Sequence, residues 1–350
     1  MKRIKQQFFR STLFASLLAI LLLAPQTAMA QDTVFLDKKI GGKSNHRGKI
    51  SKITPLSIEI GGQKLPAGNI KRVTIGGAPA PLARASERAN DGRYADCLEQ
   101  LKKITTPPTN KVAAAEIAFL RAYANAKLSL EGGEVKALDA GKAISSFVNE
   151  HPESYHLYPA IELKGKLLSA IGKSDLAAQE FQRLTRSNWP KYTAIGHFQV
   201  GETQLMSNQF DKAIASYGAL VKVQADDNET NELKLIGNCQ RAKALGLKGQ
   251  TDQAIKVIQK VIREEDPENK RLFAYAYNAL GACERKKGNL KEAALAYLHT
   301  DLLFPEPAAH AEALYYLTKI WPELGQTNRA NDAQKLLRGP YKNSAWSRRK

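Results

Sequence analysis

A glycine, an alanine twelve residues later and an aromatic residue four beyond that recur along the chain. The sets are Gly165, Ala177 and Phe181; Gly201, Ala213 and Tyr217; and Gly281, Ala293 and Tyr297. Apolar residues on both sides repeat at three and four, the period of an amphipathic helix. Turns such as "KKGNLKEA", "MSNQFDKA" and "LKGQTDQA" divide each unit into two helices. Small residues where two helices face one another let their backbones approach closely. The aromatic residue then fills the gap toward the next hairpin. In "KKGNLKEA", Gly288 suits a left-handed C-cap. Asn289 is placed to cap the next helix, with Glu292 three residues on as a capping-box partner. Lys286 and Lys287 sit where a helix C-terminus favours positive charge.

Weaker copies extend the pattern. One holds Ala242, Ala254 and Ile258, and the last is anchored on Ala330. Two irregular N-terminal units centre on Ala95 and on Ala143 with Phe147. The anchors Ala143, Ala177, Ala213, Ala254, Ala293 and Ala330 step by 34, 36, 41, 39 and 37. A single hairpin cannot bury both of its faces, so such units must stack into an array.

The unit with Tyr277, Leu280, Gly281, Ala293, Tyr297 and Pro305 resembles the tetratricopeptide repeat, W-x2-L-G-x2-Y, then A-x3-F, then P. It departs where Tyr277 replaces the tryptophan and Glu284 the tyrosine. The resemblance covers roughly residues 79–340. It implies a mainly α chain: a right-handed α-α solenoid of about six to seven helical hairpins.

Residues 31–77 have a different period. "TVFLDKKIGGK", "RGKISKIT", "LSIEIGGQKLP" and "NIKRVTIGG" alternate apolar and polar residues between Gly, Pro and Asn. Gly61-Gly62 fits a hairpin turn. About five short strands are expected, in a small all-β, barrel-like domain. Val34, Leu36, Gly48, Ile50 and Ile53 resemble the opening of the small Sm-like β-barrels.

The first thirty residues read as a secretory signal peptide. Lys2, Arg3, Lys5 and Arg10 precede an apolar stretch from Leu13 to Leu23, too short to span a bilayer comfortably. Ala28-Met29-Ala30 then supplies a cleavage pattern between Ala30 and Gln31. An exported chain, periplasmic or secreted, is expected, with no transmembrane segment after cleavage. Removing those four cations takes the net charge from +18 to +14. This basicity admits an anionic envelope polymer or lipid as a partner, with residues 341–350 as a basic tail. No Arg/Lys run is interleaved with aromatics, which argues against nucleic acid. Three cysteines, Cys97, Cys239 and Cys283, exclude a disulfide framework and leave room for one bridge.

Nothing in the sequence specifies an enzyme. The six histidines show no metal-ligand spacing, and there is no G-x-S-x-G, Walker loop or C-x-x-C. No catalytic, cofactor or metal residues are therefore expected. The resemblance implies a concave groove lined from the first helix of each unit. Here that means Glu162 and Lys166; Phe198, Glu202 and Leu205; Cys239 and Lys243; Tyr275, Asn278 and Arg285; and Tyr315 and Lys319. The implied function is a non-enzymatic scaffold for a protein partner, with an acidic extended peptide suited to the basic and aromatic members.

Overall fold

The computed structural model describes residues 31–225 and 227–349. The expected signal peptide, including Ala30, lies outside these residues. Gln31 is exposed at the start of the described chain.

Six strands come first: β1 (Asp32–Ile40), β2 (Lys43–Gly48), β3 (Ile50–Thr54), β4 (Ser57–Ile60), β5 (Gln63–Pro66) and β6 (Ile70–Thr74). They form two antiparallel three-stranded sheets, ordered β2-β1-β6 and β3-β4-β5. This corrects the barrel-like expectation, because the sheets do not close on one another. The reason lies in two glycine pairs. Gly41-Gly42 and Gly61-Gly62 each take two successive positive φ angles, the requirement of a tight two-residue hairpin turn. The first apolar run is therefore a hairpin rather than one strand, which adds the sixth strand. β1 and β4 become the centres of separate sheets. Val34, Leu36, Ile58, Ile60, Leu65 and Val73 form the buried interior. The Asp32 carboxylate accepts from the backbone N–H groups of Ile50 and Gly76, each at 2.8 Å, and fastens one sheet's start to the other.

Seven helical hairpins follow among the described residues. They are α1 (Ala80–Asn90) with α2 (Tyr94–Lys102), α3 (Lys111–Leu130) with α4 (Ala137–Glu150), and α5 (Leu157–Ala170) with α6 (Ser174–Thr185). Then come α7 (Pro190–Met206) with α8 (Phe210–Val221), α9 (Asn228–Lys248) with α10 (Thr251–Glu264), α11 (Lys270–Lys287) with α12 (Leu290–Leu302), and α13 (Pro307–Glu323) with α14 (Thr327–Arg338). A one-turn helix, α15 (Ala345–Arg348), ends the chain. First helices pack on first helices: α7 on α9, α9 on α11, and α11 on α13. They line one side of the array and the second helices line the other.

The glycine–aromatic spacing has a direct physical expression. A Cβ on Gly165 would lie 2.4 Å from the Phe181 ring, on Gly201 2.6 Å from Tyr217, and on Gly281 2.9 Å from Tyr297. Ala177, Ala213 and Ala293 are fully buried, and Ala242, Ala254 and Ala330 are buried also. Tyr297 stacks on Tyr316 of the next hairpin at 5.2 Å. The first unit is centred differently from its reading: Ala95 is exposed, and Cys97 with Leu101 turns inward. Gly288 takes the left-handed C-cap conformation, φ 86°. Asn289 makes no cap hydrogen bond; its amide donates back to Glu284 at 2.7 Å instead.

The β domain docks on the first hairpin and beyond. Arg72 pairs with Glu87 at 2.8 Å, and the Asn90 amide donates to the Lys71 carbonyl at 3.0 Å. Gly68 lies against the Trp189 ring so closely that a Cβ there would stand 2.7 Å from it.

Candidate functional site

The first helices carry the expected groove residues, and the structure divides them into two groups. In the C-terminal half most are interior. Phe198, Leu205, Cys239, Lys243, Tyr275, Asn278 and Tyr315 are all buried. This corrects their placement on a free surface. The superhelix brings successive first helices close enough that their inward positions meet each other.

What forms there is a polar network. The Glu202 carboxylate accepts from the Tyr217 hydroxyl and the Gln240 amide, both at 2.5 Å. Lys243 pairs with Glu312, and the Asn278 amide donates to the other Glu312 oxygen at 3.2 Å and to the Ala309 carbonyl at 2.7 Å. One connected interior thus links α7, α8, α9, α11 and α13. Burial pushes the Glu202 carboxyl up, with Lys243 and the two hydrogen bonds pulling the other way. Burial opposes the Lys243 charge, but Glu312, Tyr316 and Glu202 outweigh it and hold the ammonium above its ordinary value. An unpaired charge in such a place would be strongly unfavourable, so Lys243 belongs to the architecture.

The remaining cations are also engaged. Lys166 pairs with Glu162 at 2.5 Å. The Arg285 guanidinium lies 4.8 Å over Tyr316 and the Lys319 ammonium 5.6 Å from the Tyr315 ring. Lys166, Lys243, Arg285 and Lys319 thus leave little free positive charge at these positions for an acidic peptide.

The C-terminal tail, through Arg349, is folded and carries the short helix α15. Tyr341 and His310 Nδ1 are 2.8 Å apart. Trp346 packs on Tyr315 and Tyr316, and Arg349 lies over Trp346 at 5.2 Å. The Asn343 amide reaches the Ser129 carbonyl at 3.2 Å, and Arg348 donates to the Ser169 carbonyl at 2.9 Å. The tail therefore crosses from the last hairpin to the C-terminal ends of α3 and α5. Beneath it a cavity of about 350 Å³ is bounded by Glu202, Lys243, Arg285, Glu312, Tyr316 and Trp346.

A second cavity, of about 360 Å³, lies in the N-terminal half between α3, α5, α7 and the β domain. Glu162 and Lys166 line it, beside Tyr123, Lys127, Trp189 and Tyr192. Tyr192 stacks on Tyr158 at 5.8 Å and meets Trp189 edge-on at 4.8 Å. Lys127 sits 5.6 Å and 5.9 Å from the Tyr94 and Tyr123 rings. At one end Glu116 is buried, bonded to the Tyr155 hydroxyl and His156 Nε2, each at 3.0 Å. Five aromatic rings, Phe119, Tyr123, Tyr155, Trp189 and Tyr192, line it among eight charged side chains, five of them Lys or Arg.

The three cysteines are free and buried. Burial pushes Cys97 up to about 11 and Cys239 and Cys283 to about 12, so all three remain unreactive thiols at neutral pH. No group of three metal-ligating side chains occurs among the described residues. None of their helices is long and apolar enough to cross a membrane.

The architecture matches a tetratricopeptide repeat protein from Parabacteroides merdae, with TM-score 0.54 and 14% identity, over 77% of this chain and 98% of that one. The chain has the tetratricopeptide-repeat fold. A Rap protein, solved in complex with Competence and Sporulation Factor, shares the solenoid with TM-score 0.52 and 15% identity, over 77% of each chain. No family model matches the sequence, and no curated protein does.

Sequence reasoning missed Glu116, Trp189, Gln240 and Glu312, and foresaw none of the tail's contacts with the helices. Glu312 had a signal: it stands at the second position of the last repeat, one of the inward positions, three residues before Tyr315. Trp189 had none, since it precedes α7 in a loop.

Proposed function

We propose that the chain is an exported, non-enzymatic scaffold that holds an extended segment of a partner protein in the N-terminal part of its concave face. The observation that carries this is the 360 Å³ cavity, walled by Tyr123, Trp189 and Tyr192 and edged by the Glu162–Lys166 pair. Rigid aromatic rings give large contact area at little entropic cost, and interface hot spots favour them. The solved Rap complex supports the reading by likeness of fold, as that solenoid was crystallised with Competence and Sporulation Factor. The β domain contributes Gly68 and Arg72 to the wall, which makes it part of the site. An anionic polymer or lipid is the weaker reading, because the basic tail that motivated it is engaged internally.

The test uses the full chain as bait in the exported fraction. Tyr123→Ala combined with Lys166→Ala should reduce capture of the specific partner at least tenfold. Leu176→Ala, on the outer helix α6, should not. Equal losses from both would overturn the reading. N-terminal sequencing of the exported protein should begin at Gln31.

A further inference from the structure

The tail seals one part of the groove with chemistry of its own. Trp346 rests on two consecutive tyrosines, its ring centre 5.4 Å from Tyr315 and 5.6 Å from Tyr316. Arg349, one helical turn later, lies over Trp346 and over Tyr315 at 5.8 Å. The Arg349 guanidinium is thus set against aromatic faces. We propose that this aromatic subsite recognises a partner segment carrying an aromatic residue followed three residues later by arginine, and that Trp346 and Arg349 occupy it in cis. The proposal rests on the concave face being a protein-binding surface.

Three features mark the tail as a displaceable occupant rather than a core element. None of the α15 side chains is buried. Its ties to α3 and α5 are single hydrogen bonds to backbone carbonyls, from Asn343 and Arg348. And it roofs a cavity of about 350 Å³ rather than filling it, so a segment that reached deeper toward Arg285 and Glu312 would gain contacts the tail does not make. Tethering gives the tail an effective concentration in the millimolar range, so a free partner displaces it only through tighter binding. The occupied state thus raises the partner's apparent dissociation constant by the reciprocal of the open fraction.

The experiment adds a fluorescent peptide with the sequence Lys342–Arg349 to full-length protein. Trp346→Ala in the chain vacates the subsite, and the peptide should then bind at least tenfold more tightly than it does to the unaltered chain. Arg349→Glu, which keeps the tryptophan, should give an intermediate gain. A peptide lacking its tryptophan should bind neither. Unchanged far-UV circular dichroism and melting confirm that the variants are folded. The proposal is overturned if the peptide ignores the folded Trp346→Ala chain, binds both chains equally, or binds without its tryptophan. A dimer formed by exchanging tails between two copies would likewise overturn it. Loss of partner capture at Tyr123 has no bearing on these outcomes, so the two proposals fail separately.

Discussion

The Lys243 ammonium and the Glu312 carboxylate meet in the interior although 69 residues separate them, and they join the fifth hairpin to the seventh. Each side chain is 3% exposed. A repeat array ordinarily couples only neighbours, so this pair adds cooperativity across the C-terminal three hairpins.

Removing one partner leaves the other charged and dry. Lys243→Met or Glu312→Leu should each destabilise by about 3–5 kcal/mol. The double replacement should cost far less than the sum, because no stranded charge remains. Urea unfolding curves of the four proteins measure this, and additive losses would contradict it.

Gly165→Ala sets two effects against each other. Alanine gains about 1 kcal/mol over glycine in a helix, while overpacking costs about 1–3 kcal/mol. The Phe181 ring, 1% exposed, has no room to retreat. A net loss of about 1 kcal/mol is expected, recovered in part by Phe181→Leu. Gly218, in α8, has nothing within 4 Å of its would-be Cβ. Gly218→Ala should therefore stabilise by up to about 1 kcal/mol. Melting curves that rank these two variants the other way would refute the packing account.

The Tyr297 hydroxyl is buried without a hydrogen-bond partner among the described residues. Tyr297→Phe should stabilise by about 1 kcal/mol, as it relieves that group. The same residue bears on alkaline stability. Burial pushes Tyr155, Tyr192, Tyr217, Tyr275 and Tyr297 well above the ordinary value of 10.0. Above pH 10 the unfolded chain loses these protons while the folded chain keeps them. The folded state then binds more protons, and stability falls as pH rises. Lys243, held above 10.5, acts in the same direction. Denaturant midpoints should drop from about pH 10 upward, less steeply in Tyr297→Phe.

The solenoid was legible because close helix approach forces small residues at fixed spacing, and Gly165, Gly201 and Gly281 display it without help from distant chain. The Gly61-Gly62 turn was legible for the same local reason. Closure of the β domain was not, since which strand pairs with which depends on contacts between separate runs. The site was least legible. Periodicity placed Lys243 and Asn278 on the inward face but could not say whether that face meets solvent or Glu312. Nor could it bring Asn343 to Ser129, because that contact depends on the accumulated curvature of five hairpins.

The central claim is that the N-terminal cavity holds a partner's extended segment. A photo-crosslinking amino acid in place of Tyr123, with the same substitution at Leu176 as an outer-face control, tests it most directly. Irradiation in the exported fraction should join Tyr123, and not Leu176, to one contiguous segment of one protein. Adducts of equal yield and identity at both positions, or none at Tyr123, would contradict the account.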